Sequence, residues 1–205
     1  RKFYLRCLGK PMRIICVNSG DKFSKWYVDN LKYMIDTYSN LKYDEFEVIT
    51  STVYGGVYDK LQMFSKYKTG QNLYFDLDVV IRGECSQFVR KNFSVCHAYW
   101  RRNGQYYKIN PINSSIISWY GDMSKVHDLF YSNLKQYKKV YYRGIDQYIH
   151  DNFKYDTFEK GFATYKYNNK EITNPEKYKI ILFNQNYTVM RWKNWCQHYI
   201  LNPQK

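Results

Sequence analysis

Apolar runs alternate with amphipathic stretches through residues 13–81, and this order constrains the fold more than any other feature of the sequence. Runs typical of buried strands occupy residues 13–17, 46–50 and 72–81. Between them, residues 24–38 and 57–67 carry apolar side chains at helical spacing. Strand, helix, strand, helix, strand predicts an α/β fold, with a mostly parallel central sheet flanked by helices.

The remaining sequence is less regular but still alternates. We expect strands at residues 94–99, 114–119 and 179–183, and helices at 122–137 and 146–153. No linker, internal repeat or low-complexity tail divides the 205 residues, and this length suits one domain.

Chain organisation and location follow from what the sequence lacks. Residues 1–11 precede the first strand, so we expect an N-terminal extension followed by a single domain at residues 12–205. No apolar run approaches the ~20 residues that span a bilayer, and we expect no membrane insertion. Five cysteines without a C-x-x-C pair favour a reducing, cytoplasmic location.

The charge balance points to an anionic partner. The chain carries 32 Lys and Arg against 18 Asp and Glu, a net charge of +14. Such a surface attracts nucleic acid, anionic membrane or nucleotide diphosphates. The alternative is codon bias, since Lys, Asn, Tyr and Ile are all abundant. Six basic residues interleaved with aromatic rings form the segment most typical of phosphate contact and base stacking: Arg82, Arg90, Lys91, Arg101, Arg102 and Lys108.

Two carboxylates, Asp76 and Asp78, interrupt the most apolar run of the sequence. Strand alternation would put both on one face of the sheet, where they would repel each other and lose hydration. A divalent cation such as Mg²⁺ or Mn²⁺ removes both problems, so the pair predicts a metal site. The alternative is a strand exit with solvated side chains.

Four motifs in order resemble those of the nucleotide-sugar glycosyltransferases with the GT-A, Rossmann-like fold, and most of all the glycogenin-like (family 8-like) group. The chain has D-K-L-Q-M-F at residues 59–64 and L-Y-F-D-L-D-V-V at residues 73–80. It continues with I-N-S-S-I-I at residues 112–117 and G-I-D-Q at residues 144–147. The family pattern is K-L-x-x-F/W, a strand ending in D-x-D, F-N-S-G-V and G-D-Q.

The resemblance implies a role for each matching residue. Cofactor and donor binding would fall to Asn18, Ser19, Lys60, Asp76, Asn113 and Ser114. The metal, Mn²⁺ or Mg²⁺, would be held by Asp76, Asp78 and Asn184, and catalysis would involve Lys60, Asp146 and Gln147. Asn184 stands where the family has a histidine ligand, and an amide oxygen is a poorer ligand for Mn²⁺.

Three of these assignments have plain structural alternatives. Without the resemblance, Lys60 is typical of a solvated lysine on a helix. Asp146 is then typical of the N-cap of the helix that follows it. Asn113 and Ser114 read as ordinary polar residues at a strand edge.

The function implied by the resemblance is transfer of a hexose from a nucleotide sugar, UDP-glucose first, to a hydroxyl acceptor. The basic and aromatic segment favours double-stranded DNA with hydroxymethylated pyrimidines, as in a viral enzyme working in the host cytoplasm. A saccharide, lipid or protein acceptor is the first alternative, and a non-catalytic nucleic-acid-binding protein is the second. A nucleotidyltransferase would also use paired aspartates, but typically with a third carboxylate and a Gly-rich phosphate loop, and neither is found.

Overall fold

Strands make up the centre of the protein in the computed structural model, which describes residues 10–102, 104–167 and 170–201. The strands of this part of the chain are β1 (Met12–Val17), β2 (Glu45–Ile49), β3 (Gln71–Phe75), β4 (Val79–Ile81), β5 (Ser94–His97), β6 (Ile112–Tyr120), β7 (Asp156–Phe158), β8 (Phe162–Thr164), β9 (Lys166–Tyr167), β10 (Lys170–Glu171) and β11 (Ile180–Leu182).

Helices fill the connections between these strands. The α-helices are α1 (Lys25–Tyr38), α2 (Gln62–Lys66), α3 (Gln105–Ile109), α4 (Ser124–Ser132), α5 (Leu134–Val140) and α6 (Ile145–Asn152). Short 3-10 helices occupy Gly56–Leu61, Ser86–Phe88, Tyr99–Arg101, Pro175–Lys177, Asn184–Arg191 and Asn194–Cys196. None of the helices in the described residues is both long enough and apolar enough to cross a membrane.

The main sheet has six strands in the order β2–β1–β3–β6–β5–β7. Strand β6 runs antiparallel to both of its neighbours, whereas the other pairs are parallel. The predicted mostly parallel sheet with flanking helices is therefore confirmed. A smaller sheet has the order β4–β11–β8, and β9 and β10 form a two-stranded pair.

Both faces of the main sheet are buried, as the alternation along β1 illustrates. Ile14 and Cys16 belong to a core that includes α1 and the smaller sheet. Ile15 lies on the opposite face with Tyr74, in a second core that includes α2, α4 and α6. Strands covered on both sides read as continuous apolar runs, which is why they stand out in the sequence.

The predicted strand at residues 72–81 is wrong in one respect. Strand β3 ends at Phe75, β4 begins at Val79, and the two belong to different sheets. Asp76 and Asp78 lie in the turn between them, with Leu77 buried in the core. The turn places both carboxylates at the carboxyl end of β3, at the edge of the main sheet.

Several other boundaries differ from the predictions. The helix expected at residues 57–67 is a 3-10 helix followed by α2, and Val57, expected in the core, is exposed. The helix expected at 122–137 breaks at Asn133 into α4 and α5. Strands β7 and β8 were not predicted, since each has only three residues. Residues 1–9 of the predicted N-terminal extension lie outside the described residues.

Candidate active site

The topology brings most of the predicted site residues to one edge of the main sheet. Strands β1 and β3 are parallel, so their carboxyl ends lie together, and the antiparallel β6 begins at the same edge. Asn18 and Ser19 follow β1, Asp76 follows β3, and Asn113 and Ser114 open β6. The edge at which parallel strands end is where open α/β sheets bind ligands.

Asp76 forms an ion pair with Lys60. The Lys60 Nζ lies 2.5 Å from the Asp76 Oδ1, and the hydroxyl of Tyr74 donates to the same oxygen at 2.5 Å. Burial, and then the charge of Asp76, raises the pKa of Tyr74 well above its usual value. The Lys60 side chain is only 13% exposed, so the alternative of a solvated helix lysine is wrong.

Asp78 is a nearly buried carboxyl, 6% exposed. Burial and then the charge of Asp76 raise its pKa to about 7, although the ammonium groups of Lys22 and Lys60 act in the opposite direction. Lys22, which the sequence analysis did not single out, lies 4.9 Å from the ring centroid of Tyr187. Because burial and the neighbouring carboxylate both raise the pKa of Asp78, a divalent cation bound there would stabilise its ionised form.

Asn184 is brought to the Asp78 turn by the smaller sheet. The backbone N–H of Phe183 donates to the carbonyl oxygen of Asp78 at 2.9 Å, and Asn184 follows directly with a φ of 53°. The Asn184 amide donates to the hydroxyl of Thr164 at 3.2 Å and accepts from the Asn113 amide at 3.5 Å. Two carboxylates and a nearby amide oxygen form a donor set for a hard cation.

This donor set does not suit zinc. Among residues 10–102, 104–167 and 170–201, no group of three or more His, Cys, Asp and Glu side chains could hold a metal ion. The cysteines of this part of the chain are buried and unpaired. Oxygen ligands that leave positions open for water and phosphate are typical of Mg²⁺ and Mn²⁺.

Asp146 is fixed against β6 and is not a helix cap. The N-cap of α6 is Gly144, so the N-cap alternative for Asp146 is wrong. Its two carboxylate oxygens accept from the backbone N–H of Ser114 and from the guanidinium of Arg101, each at 3.0 Å. Gln147 lies beside it on α6, and its amide is 3.5 Å from the carboxylate of Asp151 one turn further on.

Asp59 is a buried residue whose role the sequence analysis missed. Its carboxylate accepts from the hydroxyl of Ser19 at 2.8 Å and from the backbone N–H groups of Val53, Tyr54 and Gly55 at 2.9, 2.7 and 3.0 Å. Burial opposes ionisation, but these hydrogen bonds outweigh it and lower the pKa of Asp59. Asp59 therefore ties the loop after β1 to the segment that carries Lys60.

The basic residues of the segment 82–108 do not form one free surface. Arg82 donates to the hydroxyl of Tyr199 at 3.0 Å and to a backbone carbonyl of the C-terminal segment. Arg90 donates to the Thr157 carbonyl at 3.1 Å, and Arg101 is committed to Asp146. Three of the six side chains thus donate hydrogen bonds within the described residues, and the Lys91 ammonium lies 6.0 Å from the ring centroid of Tyr120, while Arg102 is exposed.

Comparisons with solved structures place this fold among glycosyltransferases. A glycosyltransferase involved in the glycosylation of the major capsid of PBCV-1 superimposes with a TM-score of 0.61 at 12% identity, covering 86% of this chain and 97% of that one. The galactosyltransferase LgtC, in complex with donor and acceptor sugar analogs, superimposes with a TM-score of 0.57 at 11% identity, covering 84% of this chain and 87% of that one. The glycosyltransferase GlyE from Streptococcus pneumoniae TIGR4 superimposes with a TM-score of 0.51 at 11% identity, covering 72% of this chain and 46% of that one.

These likenesses, at 11–12% identity, show a shared fold. No protein-family model matches the sequence, and no curated protein is similar to it. The fold is a single α/β unit of the type found in GT-A glycosyltransferases, as the motif order predicted.

Proposed function

We propose that the protein is a metal-dependent glycosyltransferase that moves a hexose from a nucleotide sugar, UDP-glucose first, to a hydroxyl acceptor. The observation that carries this proposal is the Asp76–Asp78 turn. It places a nearly buried carboxyl with a raised pKa beside a second carboxylate, at the sheet edge that also holds Lys60 and Ser114. A phosphate-bound divalent cation suits that arrangement better than any other ligand.

The donor nucleotide would lie along the loop after β1. The side-chain oxygen of Asn18 is buried there without a hydrogen-bond partner in the described structure. A buried acceptor without a donor is destabilising, and a ribose hydroxyl or base N–H would satisfy it. Ser19 is held in place by Asp59, which fixes the loop before the donor arrives.

The diphosphate would lie between the metal ligands and the lysines. Asp76, Asp78 and Asn184 would hold Mn²⁺ or Mg²⁺, which when bound neutralises charge on a departing diphosphate. Lys60 neutralises Asp76 in the metal-free protein, and its ammonium is also 3.5 Å from the carbonyl of Ser114. A partly buried ammonium at this position would stabilise negative charge on the leaving group.

The sugar would face Asp146 and Gln147. Asp146 is held by the Ser114 N–H and by Arg101, so its carboxylate is oriented before the donor binds. A carboxylate in that position can accept a hydrogen bond from a sugar hydroxyl and can stabilise positive charge at the anomeric carbon. Asn113 and Ser114, at the start of β6, would contact the donor sugar or the acceptor.

A saccharide hydroxyl is the acceptor that we place first. Arg101 holds Asp146 and is therefore not available to contact phosphates, which weakens the case for DNA. The solved structures with this fold include a protein involved in glycosylation of a capsid and one bound to an acceptor sugar analog. DNA with hydroxymethylated pyrimidines remains the second candidate, through Arg102 and Lys108.

Donor hydrolysis tests the transferase proposal. The protein is incubated with UDP-glucose and other nucleotide sugars in the presence of Mn²⁺, and release of the nucleotide is measured. Asp78→Asn should reduce release by about a hundredfold or more, because it removes a metal ligand. Asp29→Asn, on the exposed face of α1, is the matched control and should retain full activity. Absence of release with every donor would favour the non-catalytic nucleic-acid-binding protein.

A comparison of acceptors tests whether the sugar is transferred to a saccharide or to DNA. Transfer to oligosaccharides and to hydroxymethylated duplex DNA is measured at two salt concentrations, for the wild type and for an Arg102→Gln/Lys108→Gln variant. If DNA is the acceptor, each lost phosphate contact should lower the log–log salt slope by about 0.9. If a saccharide is the acceptor, these substitutions and added salt should have little effect.

A further inference from the structure

Exposed apolar side chains are concentrated on one side of the protein. Of the eight large hydrophobic side chains that are exposed in the described residues, five lie on two segments that contact each other, and we call them the α5 surface: Val53, Val57, Tyr131, Val140 and Tyr142. They are between 47% and 68% exposed. Contiguous exposed apolar groups with a polar rim mark interaction sites more often than scattered ones do.

Direct contacts join the two segments that form the α5 surface. The rings of Tyr54 and Tyr131 are 6.3 Å apart, and the hydroxyl of Tyr58 donates to the carbonyl of Tyr141 at 2.8 Å. The Lys138 ammonium donates to the carbonyl of Tyr54. The turn at residues 53–58 therefore packs against α5 and the residues that flank it, which places the five exposed side chains on neighbouring segments of the surface.

The segment of the α5 surface that lies between Asp128 and Asp146 is positively charged. No Asp or Glu occurs between Asp128 and Asp146, and this stretch holds four basic residues: Lys135, Lys138, Lys139 and Arg143. Lys135 and Lys139 are exposed and lie one helical turn apart on α5, which places them on the same side of the helix. A surface with these properties requires a partner that offers both negative charge and an apolar phase.

We propose that the α5 surface binds the headgroup region of an anionic phospholipid bilayer, so that the protein lies on the membrane without crossing it. Basic side chains attract anionic headgroups, while aromatic and aliphatic side chains enter the boundary with the acyl chains. Nucleic acid would match the lysines but offers little to exposed valines. A second copy of this chain would bring a net charge of +14 against itself.

Vesicle co-sedimentation tests this proposal independently of any catalytic activity. The 205-residue protein is mixed with vesicles of phosphatidylcholine alone, or of phosphatidylcholine and phosphatidylglycerol in about equal amounts. We expect binding to the anionic vesicles only, and weaker binding as salt increases. Equal binding to both vesicle types, or to neither, would overturn the proposal.

Two double variants separate the contributions of charge and apolar contact. Lys135→Gln/Lys139→Gln should lower the partition coefficient about thirtyfold, given the attraction of each lysine to an anionic surface. Val140→Ser/Tyr142→Ser should lower it about tenfold without changing its salt dependence. Thermal unfolding should show that all variants remain folded.

The matched control is Lys42→Gln/Lys177→Gln, which removes the same charge from exposed lysines outside the α5 surface. This control should bind vesicles nearly as well as the wild type. If it loses as much binding as the α5 variant, only net charge matters and the α5 surface is not the site. Duplex DNA binding or self-association that depends on Lys135 and Lys139, with no vesicle binding, would replace the proposal.

Discussion

Replacing Asp59 with alanine should destabilise the protein more than most single substitutions. The carboxylate is fully buried and accepts five hydrogen bonds, three of them from successive backbone N–H groups and a long one from the Gln62 amide at 3.4 Å. Hydrogen bonds to a charged group contribute about 1.5–3 kcal/mol each, and a buried donor left unpaired costs about as much. Val53 is exposed, so water can satisfy part of the loss.

These considerations give a loss of about 3–5 kcal/mol in the free energy of unfolding for Asp59→Ala. For a chain of this size, that corresponds to a fall in Tm of about 8–15 °C. Asp59→Asn keeps one carbonyl acceptor and should lose about 1–2 kcal/mol, and Ser19→Ala, which removes a single hydroxyl donor, about 1 kcal/mol.

The measurement is urea unfolding followed by tryptophan fluorescence, at neutral pH and again in acid. Because hydrogen bonds lower the pKa of folded Asp59, its stabilising contribution is complete above the unfolded pKa of about 4 and is lost as the pH falls through the lower folded value. The difference in the free energy of unfolding between the wild type and Asp59→Asn should therefore become smaller below about pH 4. A gap below about 1 kcal/mol for Asp59→Ala at neutral pH would refute the reasoning.

Four further outcomes are expected. Arg101→Gln should lower kcat by about tenfold to a hundredfold with little change in the donor KM, whereas Arg102→Gln should leave kcat unchanged. An equal loss of kcat in both variants would contradict the positioning of Asp146 by Arg101. Asp78→Asn should stabilise the metal-free protein at about pH 8, since a carboxyl with a folded pKa of about 7 is destabilising when ionised; the gain should disappear by about pH 4 in urea unfolding. Asn184→His should tighten Mn²⁺ binding in calorimetry by about tenfold, and weaker binding would show that this position does not face the metal. Gly144→Ala should cost about 1–3 kcal/mol in chemical unfolding, because φ is 118° there and an added Cβ would lie 3.3 Å from a neighbouring side chain; an unchanged unfolding midpoint would contradict this.

The direction of the strands explains why the candidate residues meet at one sheet edge, because each of them follows or opens a buried strand. Parallel strands end at the same edge, so Asn18 and Asp76 had to come together once β1 and β3 were recognised. The start of β6 joined them because it is antiparallel to β3. Each of these inferences needs only the direction of neighbouring strands.

The break at Asp76–Asp78 could not be found in the same way. Val79 to Ile81 look like a continuation of β3, but they pair with β11, about a hundred residues later in the chain. No local pattern records which distant strand supplies the partner. For the same reason Arg101 read as a phosphate contact, since its partner Asp146 is 45 residues away.

The burial of Asp59 does not follow from the helical period predicted for residues 57–67, because the first part of that segment is not an α-helix. In the 3-10 helix Gly56–Leu61, there are about three residues per turn, so the buried face includes Asp59 rather than Val57. The signal in the sequence was the pair Gly55 and Gly56, both of which have a positive φ. They form part of the tight turn whose backbone N–H groups donate to the Asp59 carboxylate.

Because β4 pairs with β11, the last part of the chain covers one side of the candidate site. Strand β4 lies at the edge of the smaller sheet, and within the described residues β11 is its partner in that sheet. A chain shortened before Ile180 would keep the main sheet, Asp76 and Lys60. It would nevertheless leave Asp78 uncovered and remove Asn184, and it would also take Ile181, Phe183 and Met190 out of the core that covers one face of the main sheet. The last segment therefore belongs to the hydrophobic core as well as to the candidate site, and its removal should lower the free energy of unfolding of the whole domain.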